Sequence, residues 1–102
     1  GMAESTDEAT TIEAALLEGA NIAHVIELEL MNEEDGGLIV CARVDIPAER
    51  TMREVSTILY QAKRRVTEAV PAAHTVYLEP DVWVDPDTAQ PTTSAVVMLG
   101  LD

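Results

Sequence analysis

The chain has 102 residues and a strongly acidic balance, with 19 Asp and Glu against 6 Lys and Arg and a formal charge of −13. Such a field repels phosphate backbones and anionic lipid headgroups, so we expect no nucleic acid among the partners. The single cysteine, Cys41, excludes a disulfide within the chain. No apolar run approaches the ~20 residues of a membrane span, so we expect the chain as given to be soluble.

The first segment predicts a loose start and then a short helix. Residues 1–7 are polar and are expected to be unstructured. Ser5 followed by Glu8 has the spacing of a capping box, in which each side chain satisfies a backbone N–H at the start of a helix. Gly19 would end this helix. Its buried side is expected to comprise Ile12, Ala15 and Leu16.

Residues 22–31 alternate in the way that a strand with one buried face does. Its inward face is predicted to carry Ile22, His24, Ile26, Leu28 and Leu30. Its outward face is predicted to carry Val25, Glu27, Glu29 and Met31. A strand that buries one face needs helices to cover that face, and the chain should supply them.

An acidic turn, NEEDGG at residues 32–37, has the length and the glycines of a hairpin loop. Its acids Glu33, Glu34 and Asp35 suggest a cation-binding loop as one alternative. They lack the alternating oxygen spacing of a calcium loop, which favours a solvated turn.

The return strand is predicted at residues 38–46. Its inward face should carry Leu38, Val40, Ala42, Val44 and Ile46. On the outward face, Arg43 is expected near Glu27 or Glu29 as a cross-strand ion pair. Cys41, in the middle of this strand, is expected to be a small packing residue.

The strongest local signal is a long amphipathic helix. Thr51 followed by Glu54 predicts a second capping box, and Pro71 prevents the helix from continuing. Its buried stripe is predicted to comprise Val55, Ile58, Leu59, Ala62, Val66, Ala69 and Val70. After Pro71, alternation predicts a third strand up to Asp81, with His74 as a solvated residue at its start.

The order helix, strand, strand, helix, strand predicts an α+β, ferredoxin-like αββαβ sandwich of the metallochaperone-like type. Both helices should cover one face of a three-stranded mixed sheet. A right-handed crossover is expected to place the third strand beside the first and parallel to it. This domain is predicted at residues 1–84 and a C-terminal extension at residues 85–102, in which residues 94–101 would add an edge strand.

No catalytic motif is present: there is no nucleophile elbow, no HExxH and no phosphate-binding glycine loop. We therefore do not expect an enzyme. A small dimeric ferredoxin-like enzyme stays open as the least favoured alternative, because it needs an inward base and His24 is the one inward candidate.

The outward face of the sheet is expected to be too apolar for water and to form a partner contact. It is predicted to carry Val25, Met31, Ile39, Tyr77 and Trp83. Four acids, Glu79, Asp81, Asp85 and Asp87, crowd the end of the third strand. We interpret them as a solvated rim, with weak binding of a hard cation as the alternative.

Three stretches together carry a family resemblance: RVTEAVPAAHTVYLEPDV at residues 65–82, HVIEL at 24–28 and LIVCARVDI at 38–46. The chain resembles the cytoplasmic C-terminal domain of cation diffusion facilitator transporters over residues 4–84. The resemblance implies a homodimer at the cytoplasmic face of the cell membrane. It also implies a transporter membrane domain as partner and zinc or another divalent cation as ligand.

The resemblance also implies metal positions. His24 and Glu79 fall where the family places ligands, and Asp81 lies nearby, whereas Arg43, Ser56 and Tyr77 stand where further histidines would be. This set predicts weak zinc binding at best, or a site that combines His24 and Glu79 from two protomers. A free-standing ferredoxin-like interaction or ligand-sensing module is the alternative function.

Overall fold

The computed structural model describes residues 2–84, in which two helices and three strands follow one another in the predicted order. The elements are α1 (Met2–Leu17), β1 (Val25–Asn32), β2 (Leu38–Asp45), α2 (Met52–Ala69) and β3 (Ala73–Asp81). The strand predicted at residues 94–101 and the rim acids Asp85 and Asp87 lie outside the described residues. No helix in the described range is both long and apolar enough to cross a membrane.

Helix α1 begins at Met2 and not after a loose segment, so the expected start at Ser5 is wrong. The segment from Met2 to Leu17 contains no glycine or proline, and its Met, Ala and Glu residues favour helix. The predicted buried side is confirmed, because Ile12 and Leu16 are fully buried and Ala15 nearly so.

Helix α2 begins at the predicted capping box. Glu54 N–H donates to Thr51 Oγ1 at 3.2 Å, and Thr51 N–H donates to Glu54 Oε1 at 2.8 Å. The hydrogen bond from the Thr51 backbone lowers the pKa of the Glu54 carboxyl. Of the predicted stripe, Ile58, Ala62 and Val66 are buried, whereas Ala69, in the last turn, is exposed.

The sheet has the order β1-β2-β3, with β1 antiparallel and β3 parallel to β2. The expected position of the third strand beside the first is therefore wrong. Helix α2 has 18 residues and spans roughly 27 Å, enough to run back along the sheet to the level at which β2 begins. A strand that starts there runs in the same direction as β2. β3 therefore pairs in parallel with β2, along the edge that β1 does not occupy.

The core lies between the helices and one face of the sheet. All five predicted inward residues of β2 are at most 7% exposed. They form one cluster with the buried residues of α1 and α2, against which Leu28, Leu30, Val76 and Leu78 pack. Both helices thus cover a single face, as predicted.

A bulge in β1 overturns part of the predicted facing of that strand. Val25 lies opposite Val44 and Glu27 opposite Arg43, so Ile26 is an extra residue in the register. The extra residue shifts the alternation by one position. Val25 consequently packs against the core and does not face outward, while His24, expected inward, is exposed.

The end of α1 is held by a side chain from α2. Arg65 donates from Nε to the carbonyl of Ala15 at 2.7 Å and from Nη2 to the carbonyl of Leu16 at 3.1 Å. Helix α1 has no basic residue in its own last turn. Arg65 therefore supplies both the hydrogen bonds and the positive charge that the C-terminus of a helix favours.

Candidate metal sites at the two ends of the sheet

The open face of the sheet changes in character along the strands. Strand pairing places Met31, Ile39 and Thr75 in one row near the β1–β2 turn, and Glu29, Cys41 and Tyr77 in the next. The following row consists of Glu27, Arg43 and Glu79. Of the predicted apolar face, Met31, Ile39 and Tyr77 thus lie in the half of the sheet near the turn. Trp83 lies at the other end, where the paired strands carry charged residues.

Arg43 lies at the centre of the charged half of the open sheet face. Its Nη2 lies 3.6 Å from Glu27 Oε1, which confirms the predicted cross-strand pair, and its Nε lies 3.6 Å from Asp81 Oδ2. These side chains are all more than a third exposed, so solvent screens the attraction and each pair contributes little to stability. The guanidinium nonetheless lies beside the Asp81 carboxylate.

His24 lies at the end of the sheet where β1 begins, and it is held on two sides. Its Nδ1 is 2.8 Å from Asp45 Oδ2, and its ring stacks on Trp83 with centroids 4.9 Å apart. The backbone N–H of Trp83 donates to Asp45 Oδ1 at 2.9 Å. An ionised carboxylate only accepts, so Nδ1 is the donor in this contact, and Nε2 is the ring nitrogen that takes no part in it. A carboxylate behind a histidine in this way orients metal-binding imidazoles.

The Asp45 carboxyl responds to two opposing influences. Burial raises its pKa, but the hydrogen bonds from the His24 ring and the Trp83 N–H lower it by more, and the pKa lies below its ordinary value of 3.8. The ionised form of Asp45 is therefore the one that the fold stabilises.

The predicted ligands His24, Glu79 and Asp81 lie at this end of the sheet, but each has its own neighbours. His24 pairs with Asp45, and Asp81 lies against Arg43. Glu79 is in the row of Arg43. In the described part of one protomer, these three residues do not form a cluster with one ligand atom from each within 4.8 Å of the others.

The other end of the sheet holds a cluster in which His74 joins two acids of the turn, an association that the sequence did not predict. Glu33, Asp35 and His74 each place one potential ligand atom within 4.8 Å of the other two. The first two belong to the β1–β2 turn, and His74 belongs to the start of β3. The correct strand order would have predicted this cluster, because a third strand that is parallel to the second begins beside that turn. The predicted pairing of the third strand with the first placed His74 at the wrong end of the sheet.

The turn itself is tightly closed. Glu33 N–H donates to the Gly37 carbonyl at 2.8 Å, and Gly37 N–H donates to Asp35 Oδ1 at 2.9 Å. Gly36 has φ of 88°, a conformation that favours glycine. These contacts confirm the predicted turn and hold the Asp35 carboxylate against its backbone.

Comparison with known proteins gives the fold. No family model and no curated protein matches the chain. Among solved structures, a triply substituted form of the MamM C-terminal domain matches with a TM-score of 0.75 and 11% identity, over 80% of this chain and 99% of that chain. The manganese form of the same domain matches with a TM-score of 0.72 and 13% identity, over 78% and 99%. MamM is a cation diffusion facilitator, and its domain shares the predicted αββαβ architecture with this chain.

Proposed function

We propose that this chain is the cytoplasmic dimerisation and regulatory domain of a zinc-type divalent-cation efflux transporter of the cation diffusion facilitator family. The observation that carries the proposal is the match to nearly the whole MamM C-terminal domain, over 99% of that chain. The stretches of sequence that resemble the family support it. In this proposal a transmembrane part of the same transporter moves the ion, and the domain itself catalyses no reaction.

The proposed dimer surface is the apolar half of the open sheet face. Met31 is 48% exposed and Tyr77 is 62% exposed, and Ile39 lies opposite Met31 in the same row. The helices cover the opposite face, and no element within residues 2–84 forms a layer on this one. Exposed apolar side chains with an aromatic residue are typical of association surfaces, and a second copy is the occupant that we propose.

Sedimentation and light scattering test the dimer. We expect a mass of twice 11.0 kDa at micromolar concentration. Tyr77→Glu should shift the protein to monomer, because it buries a charge in the contact. Tyr60→Glu is the matched control, since Tyr60 lies on α2 and is 63% exposed. A protein that stays monomeric at high concentration would contradict the proposed surface.

The proposed regulatory metal site lies at the His24 end of the sheet. His24 offers Nε2, and Glu79 and Asp81 offer carboxylate oxygens from β3. Two protomers that each contribute His24 and Glu79 would supply the four ligands of a tetrahedral zinc site. A site with no thiolate and with Arg43 beside its carboxylates should bind zinc, or another divalent cation, weakly. Acidification should weaken it further, because only neutral imidazole binds a metal.

The measurement for this site is the effect of zinc on dimerisation. Zinc should strengthen the dimer of the wild type and should have no such effect on His24→Ala. His74→Ala is the matched control, since it removes the other histidine of the chain. If zinc strengthened the dimer of His24→Ala as much as that of the wild type, the ligands assigned here would be wrong.

The alternative of a small enzyme depended on an inward-facing base. His24 was its inward base, and its side chain is 49% exposed and pairs with Asp45 on the open face. The upstream reading frame of the gene distinguishes our proposal from the alternative, a free-standing interaction or ligand-sensing module. We expect apolar membrane spans ahead of this domain, and an in-frame stop codon directly upstream would favour the free-standing module.

A further inference from the structure

The cluster at the turn end of the sheet brings together two segments, the β1–β2 turn and the start of β3, which α2 separates in the sequence. Leu38 N–H donates to the Ala72 carbonyl at 2.8 Å, which fixes the start of β3 beside the turn. Ala73 lies opposite Leu38 and Thr75 opposite Ile39, so His74 is an extra residue in the register. A bulge of this kind redirects a side chain. Here the His74 ring lies next to Glu33 and Asp35.

Gly37 shows how closely the three side chains converge. A Cβ atom at this position would lie 2.6 Å from both Glu33 Oε1 and His74 Nδ1 and 3.0 Å from Asp35 Oδ1. The backbone of Gly37, unlike that of Gly36, does not require glycine, because its φ is not positive. What the position requires is space. The missing side chain leaves room for three potential ligand atoms above one Cα.

The charge at this cluster has no basic partner among the residues that the structure describes. In the described range of the chain, neither Glu33 nor Asp35 forms an ion pair with a lysine or arginine. Two carboxylates at this separation repel each other, and the net charge of −13 adds to the repulsion. A divalent cation between them would remove this repulsion, and the neutral imidazole would complete three ligands.

We propose that Glu33, Asp35 and His74 form a binding site for a divalent first-row transition metal ion. Two carboxylate oxygens and one imidazole nitrogen suit zinc, manganese or iron(II). Water completes the coordination, so the ion exchanges with solvent. The site lies at the opposite end of the strands from His24, and it does not depend on the transporter assignment.

Calorimetric titration with zinc tests the ligands. His74→Gln, Glu33→Gln and Asp35→Asn should each weaken zinc binding at this site by about tenfold or more, because each removes one of three ligands. Glu34→Gln is the matched control: it removes one charge from the same turn and leaves the cluster intact. If Glu34→Gln weakened binding as much as Asp35→Asn, the acidic field and not a site would hold the ion. Wild type that binds no zinc would also overturn the proposal.

Gly37→Ala tests the geometry without touching a ligand. The atoms that a methyl group would meet are the ends of flexible side chains, so the fold should persist while Glu33 and His74 turn away from each other. We expect an unchanged melting temperature without metal and a loss of zinc affinity comparable to that of His74→Gln.

Paramagnetic broadening by manganese in amide NMR spectra locates the site directly. Resonances of residues 33–37 and 73–75 should broaden first in the wild type and also in His24→Gln. In His74→Gln this preference should disappear. Broadening that begins at the His24 end, or that is unaffected by His74→Gln, would refute the assignment.

Discussion

Asp45 ties three separate parts of the chain together through one residue. Its carboxylate accepts from the His24 ring and from the N–H of Trp83, and its own N–H donates to the His24 carbonyl at 2.9 Å. The start of β1, the end of β2 and the segment after β3 thus meet at a single side chain. The side chain is only 14% exposed, so these hydrogen bonds are partly shielded from water.

Asp45→Asn should destabilise the domain by about 1 kcal/mol at neutral pH, because a neutral amide accepts more weakly than a carboxylate. The lowered pKa of Asp45 fixes the pH dependence. A carboxyl with a folded pKa below 3.8 contributes stability above that pH and loses it as the pH falls through the folded pKa. The difference between the two proteins in urea unfolding should therefore shrink below pH 3.8.

Glu29→Gln is the control for this comparison, because it removes a charge from the open face without removing the hydrogen bonds of Asp45. A difference between wild type and Asp45→Asn that stayed constant from neutral to strongly acidic pH would show that ionisation of Asp45 contributes nothing to the fold.

At the residue scale, local spacing predicted the interactions that depend only on nearby sequence or on simple pairing. The Thr51–Glu54 box and the Arg43–Glu27 pair are of this kind. The face on which the His24 side chain lies could not be predicted from the sequence. One extra residue in β1 reverses the alternation, and no residue type in the strand indicates a bulge. The same limit applied to His74, which is itself an extra residue of β3 in the register with β2.

The packing of α2 gives a prediction for an element. Ile58→Ala should cost roughly 2–5 kcal/mol in the free energy of unfolding, because Ile58 is only 6% exposed within the core. Thr51→Ala should cost about 1 kcal/mol through loss of the cap. Ser56→Ala, on the exposed side of the same helix, should change stability by less than about 0.5 kcal/mol. Chemical denaturation that ranked the three differently would disprove the buried face assigned here.

The contact between α1 and α2 gives a second prediction about stability. Arg65→Ala should cost about 1–3 kcal/mol, because it leaves the carbonyls of Ala15 and Leu16 without their partly buried donor. Arg65→Lys should recover only part of this loss, since an ammonium lacks the fork that reaches two carbonyls.

Arg64→Ala is the adjacent control for this prediction, because within residues 2–84 the ion pair of Arg64 is with exposed Glu68 along the helix surface. Thermal unfolding of the three variants provides the comparison. Equal losses for Arg64→Ala and Arg65→Ala would mean that the contact with the end of α1 does not hold the helices together.

At the element scale, the sequence predicted all five elements but not the neighbour of the last one. Hydrophobic periodicity and the signals at Thr51 and Pro71 define each segment locally. The position of β3 depends on the length of α2 and on which edge of the sheet is free, and neither appears in the pattern of β3 itself. The candidate cluster of Glu33, Asp35 and His74 follows from this one relation.

The charge of the whole molecule gives a prediction for assembly. Two copies that meet across the open face both carry −13, and their repulsion opposes the proposed dimer. Salt screens charges beyond roughly 8 Å at physiological ionic strength. We therefore expect the dimer to strengthen as sodium chloride is raised, as measured by sedimentation equilibrium. A dimer that weakened with salt would indicate that attractive ion pairs, and not apolar contact, hold it together.

The parallel pairing of β2 with β3 also predicts an order of events during folding. A short turn joins β1 to β2, so we expect their hairpin to form early and β3 to reach its edge only after α2 has formed. His74 and Trp83 are brought to opposite ends of the sheet by this last step. A state in which β3 is undocked would therefore lack the cluster of Glu33, Asp35 and His74 and the stacking of Trp83 on His24, whereas the His24–Asp45 contact lies within the hairpin. A metal ion bound by His74 and the two turn acids would slow the undocking of β3.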